Sequence, residues 1–193
     1  MKDNREIYPH VEKASEILRA GGIILYPTDT VWGIGCDACN AKAVQKITEI
    51  KNRPDVKNYI ILAADLNMVS RYVEQIPSMA AELLEVADKP LTIIYPGAMN
   101  LAPGVAAPDG SVAIRIPDQR FCRALIRKLK RPLLSTSANT SGAKAPVHFS
   151  EIDPALIRKI DWTAPRFLEE NATGKPSSII RLGTNNEVEI IRP

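Results

Sequence analysis

The residues most able to do chemistry fall into five polar clusters, at positions 26–35, 51–57, 111–115, 135–139 and 176–178. Four of the five supply hydroxyls or fixed cations, the groups that hold a carboxylate or a triphosphate. Lys51-x-Arg53, with Lys57 just after, gathers cations where a helical pattern ends. Arginine offers a bidentate fork and lysine a compact charge to phosphate, but cations at that place also complement a helix dipole. Ser135-Thr136-Ser137-Ala138-Asn139 is more specific, with five small residues, four of them polar, directly after an apolar run. A cap or turn would need only one such residue, so a binding loop is the favoured reading.

Familiar catalytic signatures are missing. There is no Gly-x-x-x-x-Gly-Lys-[Ser/Thr] loop, no Gly-x-Gly-x-x-Gly and no Gly-x-Ser-x-Gly elbow. The two histidines, His10 and His148, lie outside the polar clusters, which disfavours Ser–His or Cys–His nucleophilic catalysis. An enzyme of this composition works by positioning and charge stabilisation. Cys36-x-x-Cys39 has redox or zinc spacing, but the chain has only three cysteines and no second such pair. A structural zinc site needs four ligands, so incidental small residues are favoured over a metal or redox role. Between Arg115 and Arg131 stand seven basic residues and one acid, Asp118. That run suits a phosphate-bearing ligand or a solvated helix face equally.

Periodicity supplies the elements that must position these groups. Val11, Ala14, Ile17 and Leu18 recur at helical spacing until Gly21-Gly22 stops them. Residues 23–26 read as a buried strand ending at Pro27, followed by a polar, glycine-punctuated loop over 28–35. Asn40 can cap a helix with Ala43, Val44, Ile47 and Ile50 on its apolar face. That helix ends near Pro54, because proline disfavours helical geometry in the preceding residue. Strands are predicted at 59–63, 91–95, 111–116, 132–134, 177–182 and 187–192. Helices are predicted at 66–73, 78–86, 118–130 and near 150–160. In the helix at 118–130, Phe121, Leu125 and Leu129 share one face, while Arg123, Arg127 and Lys130 share the other. Strands and helices interleave without a strict βαβ rhythm, which points to an α/β chain with a mixed, twisted sheet covered by helices.

At 193 residues the chain is expected to form one domain spanning 1–193. A core burying roughly 70% of the unfolded surface is then within reach. No apolar run is long enough to span a membrane, and the first residues are polar, so no membrane or secretory segment is expected and the cytoplasm is the default compartment. The net charge of +3 is too small for a general polyanion binder.

Taken in order, these clusters resemble the YrdC family of threonylcarbamoyl-AMP synthases in its short, TsaC-type form. The resemblance is carried by Tyr26-Pro27-Thr28-Asp29-Thr30-Val31-Trp32-Gly33-Ile34-Gly35, Lys51-Asn52-Arg53-Pro54, Val112-Ala113-Ile114-Arg115-Ile116-Pro117 and Ser135-Thr136-Ser137-Ala138-Asn139-Thr140-Ser141-Gly142. Pro176-Ser177-Ser178-Ile179-Ile180 and Arg192-Pro193 extend it over nearly the whole chain. The resemblance implies a twisted mixed sheet flanked by helices around a deep, positively lined cavity. It implies condensation of L-threonine, CO2 or bicarbonate, and ATP to threonylcarbamoyl-AMP and pyrophosphate. The product would go to a separate transferase that modifies tRNA next to the anticodon. The family's Lys-x-Arg…Ser-x-Asn set falls on Lys51, Arg53, Ser137 and Asn139. Arg53, Lys57, Ser111, Ser137 and Arg192 would face ATP, with Mg2+ held mostly by its phosphates. Thr30, Arg115, Ser135 and Ser177 would hold threonine, Arg115 pairing with its carboxylate. This chain departs from its relatives at Ala87-Asp88-Lys89, where Trp-Pro-Gly is usual, at Tyr59, which follows Lys57-Asn58 where Pro-Leu is common, and at Arg181, which replaces a frequent Asp.

Two other readings compete. An RNA-binding module would use the basic helix face and Lys51-Asn52-Arg53 on phosphates, though only 5% of residues are aromatic and stacking platforms are scarce. Weak tRNA contact is compatible with the enzymatic reading. A related carbamoyl-adenylate enzyme, as embedded in hydrogenase-maturation proteins, is the second, but those are much longer.

Overall fold

The computed structural model describes residues 4–51, 59–140, 142–169 and 172–193. Arg53 and Lys57 lie outside the described residues, as does the proline expected to end the second helix. The helices are α1 (Asn4–Arg19), α2 (Ala41–Lys51), α3 (Leu66–Val69), α4 (Met79–Val86), α5 (Arg120–Leu129) and α6 (Pro154–Ile157). The strands are β1 (Ile24–Pro27), β2 (Trp32–Asp37), β3 (Ile60–Leu62), β4 (Leu91–Tyr95), β5 (Val112–Arg115), β6 (Leu133–Ser137), β7 (Trp162–Thr163), β8 (Ser178–Leu182) and β9 (Val188–Arg192). Two 3-10 turns, Phe149–Glu151 and Arg166–Leu168, complete them.

Local chemistry explains the longer helices. Val11, Ala14 and Leu18 form the buried stripe of α1, and Gly21, at φ +78°, supplies the left-handed residue that ends it. Asn40 caps α2, its side-chain oxygen accepting from Ala43 N at 3.2 Å. At α5 the cap is Gln119, accepting from Cys122 N at 2.7 Å, so the helix starts at Arg120, two residues later than the expected Asp118. Lys130, at φ +61°, closes α5 in the left-handed conformation. Phe121, Leu125 and Leu129 are buried there, as the spacing predicts. Arg19 donates to Lys128 O at 2.8 Å and Lys128 pairs with Glu12 at 2.5 Å, tying α5 to α1.

Among the described residues the nine strands form one mixed sheet in the order β7-β1-β2-β6-β3-β5-β4-β8-β9. Residues paired across strands share a face. One register row runs Cys36–Leu134–Ile61–Ile114–Ile93–Ile180, and all six side chains are buried in the core. The opposite face carries a row Gly35–Ser135–Ile60–Ala113–Ile94–Arg181 and, two residues along, Leu62–Arg115–Thr92–Ile179–Arg192. Polar site residues therefore share one face, back to back with the core.

Several boundaries differ from the sequence reading. The stretch 28–35 is not all loop, because Trp32 starts β2, which pairs antiparallel with β1 across a short turn. Ser135 and Ser137 stand inside β6, between β2 and β3, and not in a loop after it. Serine and threonine suit turns, but pairing with β2, and for Ser135 with β3 as well, overrides that preference. The helix expected near 150–160 is a 3-10 turn followed by the single turn of α6. β7 escaped notice because two residues carry no periodicity. None of the helices among the described residues is long and apolar enough to cross a membrane.

Candidate active site

The polar face of the sheet floors a cavity of about 610 Å3. Three arginines, Arg115, Arg181 and Arg192, are among its lining residues, and none of the described lining residues is acidic. Thr30, Ser111, Ser135, Ser137 and Ser177 line it as well. Lys51 and Asn139 do not.

The β1–β2 turn is organised by Thr28. Its Oγ1 accepts from Thr30 N at 3.0 Å and Val31 N at 3.2 Å, and meets Thr30 Oγ1 at 2.8 Å. Thr30 Oγ1 also accepts from Arg115 Nη2 at 3.5 Å. Arg115, at the end of β5, is 5% exposed and pairs through Nη1 with the buried Asp29 carboxylate. The other Asp29 oxygen accepts from Asp118 N at 3.0 Å. Arg115 Nε is buried and has no partner among the described residues. A buried guanidinium N–H without an acceptor is costly.

Across the cavity floor, Tyr26 reaches from β1 over β2 to donate its hydroxyl to Ser135 Oγ at 2.7 Å. Gly35 makes this crossing feasible, since a Cβ there would lie 2.9 Å from the Tyr26 ring and 2.8 Å from Leu134 O. Burial pushes the Tyr26 phenol well above its ordinary range, so it keeps its proton. Ser135 then accepts from Tyr26 and retains its own proton for an acceptor on a ligand.

At the other end of β6, buried Lys51 donates to Ser137 O at 2.8 Å, Asn139 O at 2.5 Å and Asn139 Oδ1 at 3.0 Å. Ser137 Oγ donates to the same Asn139 Oδ1 at 2.5 Å, and Asn139 Nδ2 donates to Ala143 O. The Lys-x-Arg…Ser-x-Asn set is thus partly one hydrogen-bonded unit, with Lys51 fastening the end of β6. On the far strands, Ser177 Oγ meets Thr92 Oγ1 at 2.8 Å, and Ser177 O accepts from Arg192 Nε at 3.0 Å and Nη2 at 2.6 Å. Desolvation lowers the Arg192 pKa from its ordinary value. Ser111 Oγ donates to Asp109, whose other oxygen accepts from Arg181.

A family model covering Sua5, YciO and YrdC, described as telomere recombination, matches residues 16–193. The chain belongs to this family. It is 34% identical over 176 residues to a protein named threonylcarbamoyl-AMP synthase from Marinobacter nauticus, covering 90% of this chain and 92% of that one. A protein of the same name from Stenotrophomonas maltophilia is 36% identical over 155 residues, covering 78% and 83%. A crystal structure of P. abyssi Sua5 complexed with L-threonine superposes with a TM-score of 0.78 at 26% identity. That match covers 95% of this chain but 53% of the Sua5 chain, so the present chain spans about half its length.

Four residues of this family member's site were missed as individuals by sequence reasoning: Tyr26, Asp29, Thr92 and Arg181. Thr92 left a signal, as the one polar residue in the apolar run of β4. Tyr26 and Asp29 sat inside a recognised cluster, but their partners, 109 and 86 residues away, had no local trace. The basic run around α5 is partly paired with acids, Arg123 lying 3.4 Å from Asp118, Lys128 on Glu12 and Arg131 on Asp37 at 2.8 Å. An RNA-binding module as the primary function therefore finds no support. Cys36 lies on the core face, where burial raises its thiol pKa, and Cys39 Sγ is 3.5 Å from Asn100 O. No three His, Cys, Asp or Glu side chains among the described residues group as metal ligands.

Proposed function

We infer that this chain joins L-threonine, CO2 or bicarbonate, and ATP to give threonylcarbamoyl-AMP and pyrophosphate, a reading supported by relatives named threonylcarbamoyl-AMP synthase. The observation that carries the reading is Arg115: a largely buried guanidinium lining a cavity that has no acidic residue among its described lining, with its Nη2 3.5 Å from the Thr30 hydroxyl. That arrangement suits a small substrate with one carboxylate and further polar groups.

In this reading the threonine carboxylate meets Arg115, and Thr30, Ser135 and Ser177 surround the rest of the amino acid. The threonine amine captures CO2 as a carbamate, whose oxygen attacks the α-phosphate of ATP as pyrophosphate departs. No protein nucleophile is required. The chain's contribution is orientation and charge neutralisation in a shielded space. Ser137 and Arg192 would address the nucleotide from β6 and β9, and Arg53 and Lys57 its phosphates. Asn139 and Lys51 would act through Ser137, by fixing the end of β6. Mg2+ would enter as part of the MgATP substrate, held by phosphate oxygens, since no carboxylate is among the described lining residues to hold it independently. A tRNA-modifying transferase in the same cytoplasm would consume the product. A weak tRNA contact would fall on the basic face of α5.

Purified protein given ATP, Mg2+, bicarbonate and a panel of amino acids should release pyrophosphate only when threonine and bicarbonate are both present. Serine lacks one methyl group, worth about 1–3 kcal/mol, so it should be roughly tenfold or more poorer. Equal turnover with many amino acids would refute the assignment.

A further inference from the structure

Two segments distant in sequence meet at the start of β2. Residues 142–149, after β6, reach it where Trp32 N donates to Pro146 O at 3.0 Å. Residues 172–177, before β8, lie along the β1–β2 turn, with Thr173 N donating to Asp29 O at 2.9 Å and Gly174 N to Thr30 O at 3.0 Å. The segments touch, since a Cβ on Gly174 would stand 3.3 Å from a Val147 methyl group. Ala145 lines the cavity from the first segment, and Pro176 and Ser177 line it from the second.

One carboxylate fastens both segments to β2. Glu169 Oε2 accepts from Trp32 Nε1 at 2.8 Å and from Phe149 N at 3.2 Å, and Oε1 meets His148 Nδ1 at 2.5 Å. Trp32 is fully buried and packs edge-to-face on Phe149 with ring centroids 5.2 Å apart. The Arg166 guanidinium lies 4.4 Å from the centre of the Phe149 ring. Removing the carboxylate would leave the N–H of a buried indole without its acceptor, at a cost the surrounding chain must relax to avoid. That relaxation falls on the threonine side. Asp29 and Thr30, which the 172–177 segment grips, are the two partners of the Arg115 guanidinium, and Ser177 ends the same segment. Ser137, on the nucleotide side, is held separately by Asn139 and Lys51.

We propose that Glu169 is a positioning residue for threonine: by clasping Trp32, His148 and Phe149 it holds the 172–177 segment against the β1–β2 turn and so sets Thr30, Arg115 and Ser177 around the amino acid. The proposal rests on the threonine-dependent reading above and deepens it. Glu169 is not among the residues that line the cavity, so it acts only through those that do.

The test measures KM for threonine and KM for ATP separately, by pyrophosphate release, in the parent, Glu169→Ala and Glu169→Gln. Amide hydrogen exchange at Thr173 and Gly174 reads the clasp without any turnover. Near about pH 8 a glutamine can rebuild the clasp, its oxygen accepting from Trp32 and Phe149 and its nitrogen donating to a neutral His148. Alanine cannot. Glu169→Ala should raise the threonine KM about tenfold, leave the ATP KM within about twofold and speed exchange at Thr173 and Gly174 about tenfold. Glu169→Gln should bring all three to within about threefold of the parent. If Glu169→Ala does not fold, Glu169→Asp, one methylene too short to span the clasp, should show the same split. Two KM values that rise together would overturn the proposal, as would a threonine KM within about twofold of the parent or a glutamine variant no better than alanine. A parent that releases no pyrophosphate would overturn the function itself, and unchanged exchange in Glu169→Ala would overturn the clasp independently of it.

Discussion

Replacing Lys51 with methionine distinguishes a lysine that fastens the end of β6 from one that only contacts phosphate. Lys51 is 1% exposed, and its ammonium donates to two backbone carbonyls and one amide oxygen of the 137–139 segment. Hydrogen bonds from a charged donor contribute about 1.5–3 kcal/mol each. Against that, methionine fills the same volume and relieves the burial of a charge. A net loss of about 2–4 kcal/mol follows, less than the 5–15 kcal/mol typical of a folded domain. At roughly 2–4 °C per kcal/mol for this size, Tm should fall by about 5–15 °C while the fold persists at 25 °C. Ser137 and Asn139 would loosen together, and a displacement near 1 Å costs on the order of a hundredfold in rate. Circular dichroism melts and pyrophosphate-release kinetics on Lys51→Met read both effects. A lysine that served only to touch the triphosphate would lower turnover and leave Tm unchanged or raised. An unaltered Tm would therefore refute the argument that Lys51 fastens β6, whatever happens to the rate.

Gly35→Ala places a Cβ 2.8 Å from Leu134 O, a backbone atom that cannot swing aside. A loss of about 1–3 kcal/mol and a raised KM for threonine are expected, through displacement of Tyr26 from Ser135; an unchanged melt would contradict this packing. His148 Nδ1 lies 2.5 Å from Glu169, whose other oxygen accepts from Trp32 Nε1 at 2.8 Å and Phe149 N at 3.2 Å. The hydrogen bond to Glu169 raises the His148 pKa above its ordinary 6.5. Burial alone would raise the Glu169 pKa, but bonds from His148, Trp32 and Phe149 outweigh it and lower it. For a raised histidine, the stabilisation is complete below 6.5 and is lost as pH rises through the folded value. Melts of His148→Ala against the parent should differ most below pH 6.5 and draw together as pH rises above it; a constant gap would argue against a titrating pair. Arg53→Ala should cut turnover on the order of a hundredfold with the fold intact, and Arg53→Lys should recover part of it. A folded Arg53→Ala variant within about twofold of the parent would assign Arg53 to the helix dipole instead.

Much of this protein was legible in its sequence because local rules governed it. The buried stripes of α1 and α5, the Asn40 cap, the Gly21 stop and the run of β4 each follow from spacing or from one residue's backbone preference. The polar clusters could be named because so many hydroxyls and cations beside apolar strands exceed what turns and caps require. The ordered set of clusters also pointed to the family that the comparisons establish. Which atoms those clusters offer to a ligand was a different matter. The sequence contained Ser111, Ser135 and Ser137 as equivalent hydroxyls. Tertiary partners made them different: Ser135 accepts from Tyr26 and keeps a proton to give, while Ser111 and Ser137 spend theirs on Asp109 and Asn139. Likewise Arg115 differs from the other cavity arginines because Asp29 engages one of its nitrogens inside the protein while its Nε has no partner among the described residues. Residue type and spacing determined where the polar groups would gather. The direction of each hydrogen bond depends on partners brought together by strand pairing and turns from distant parts of the chain, so only the folded structure could decide it.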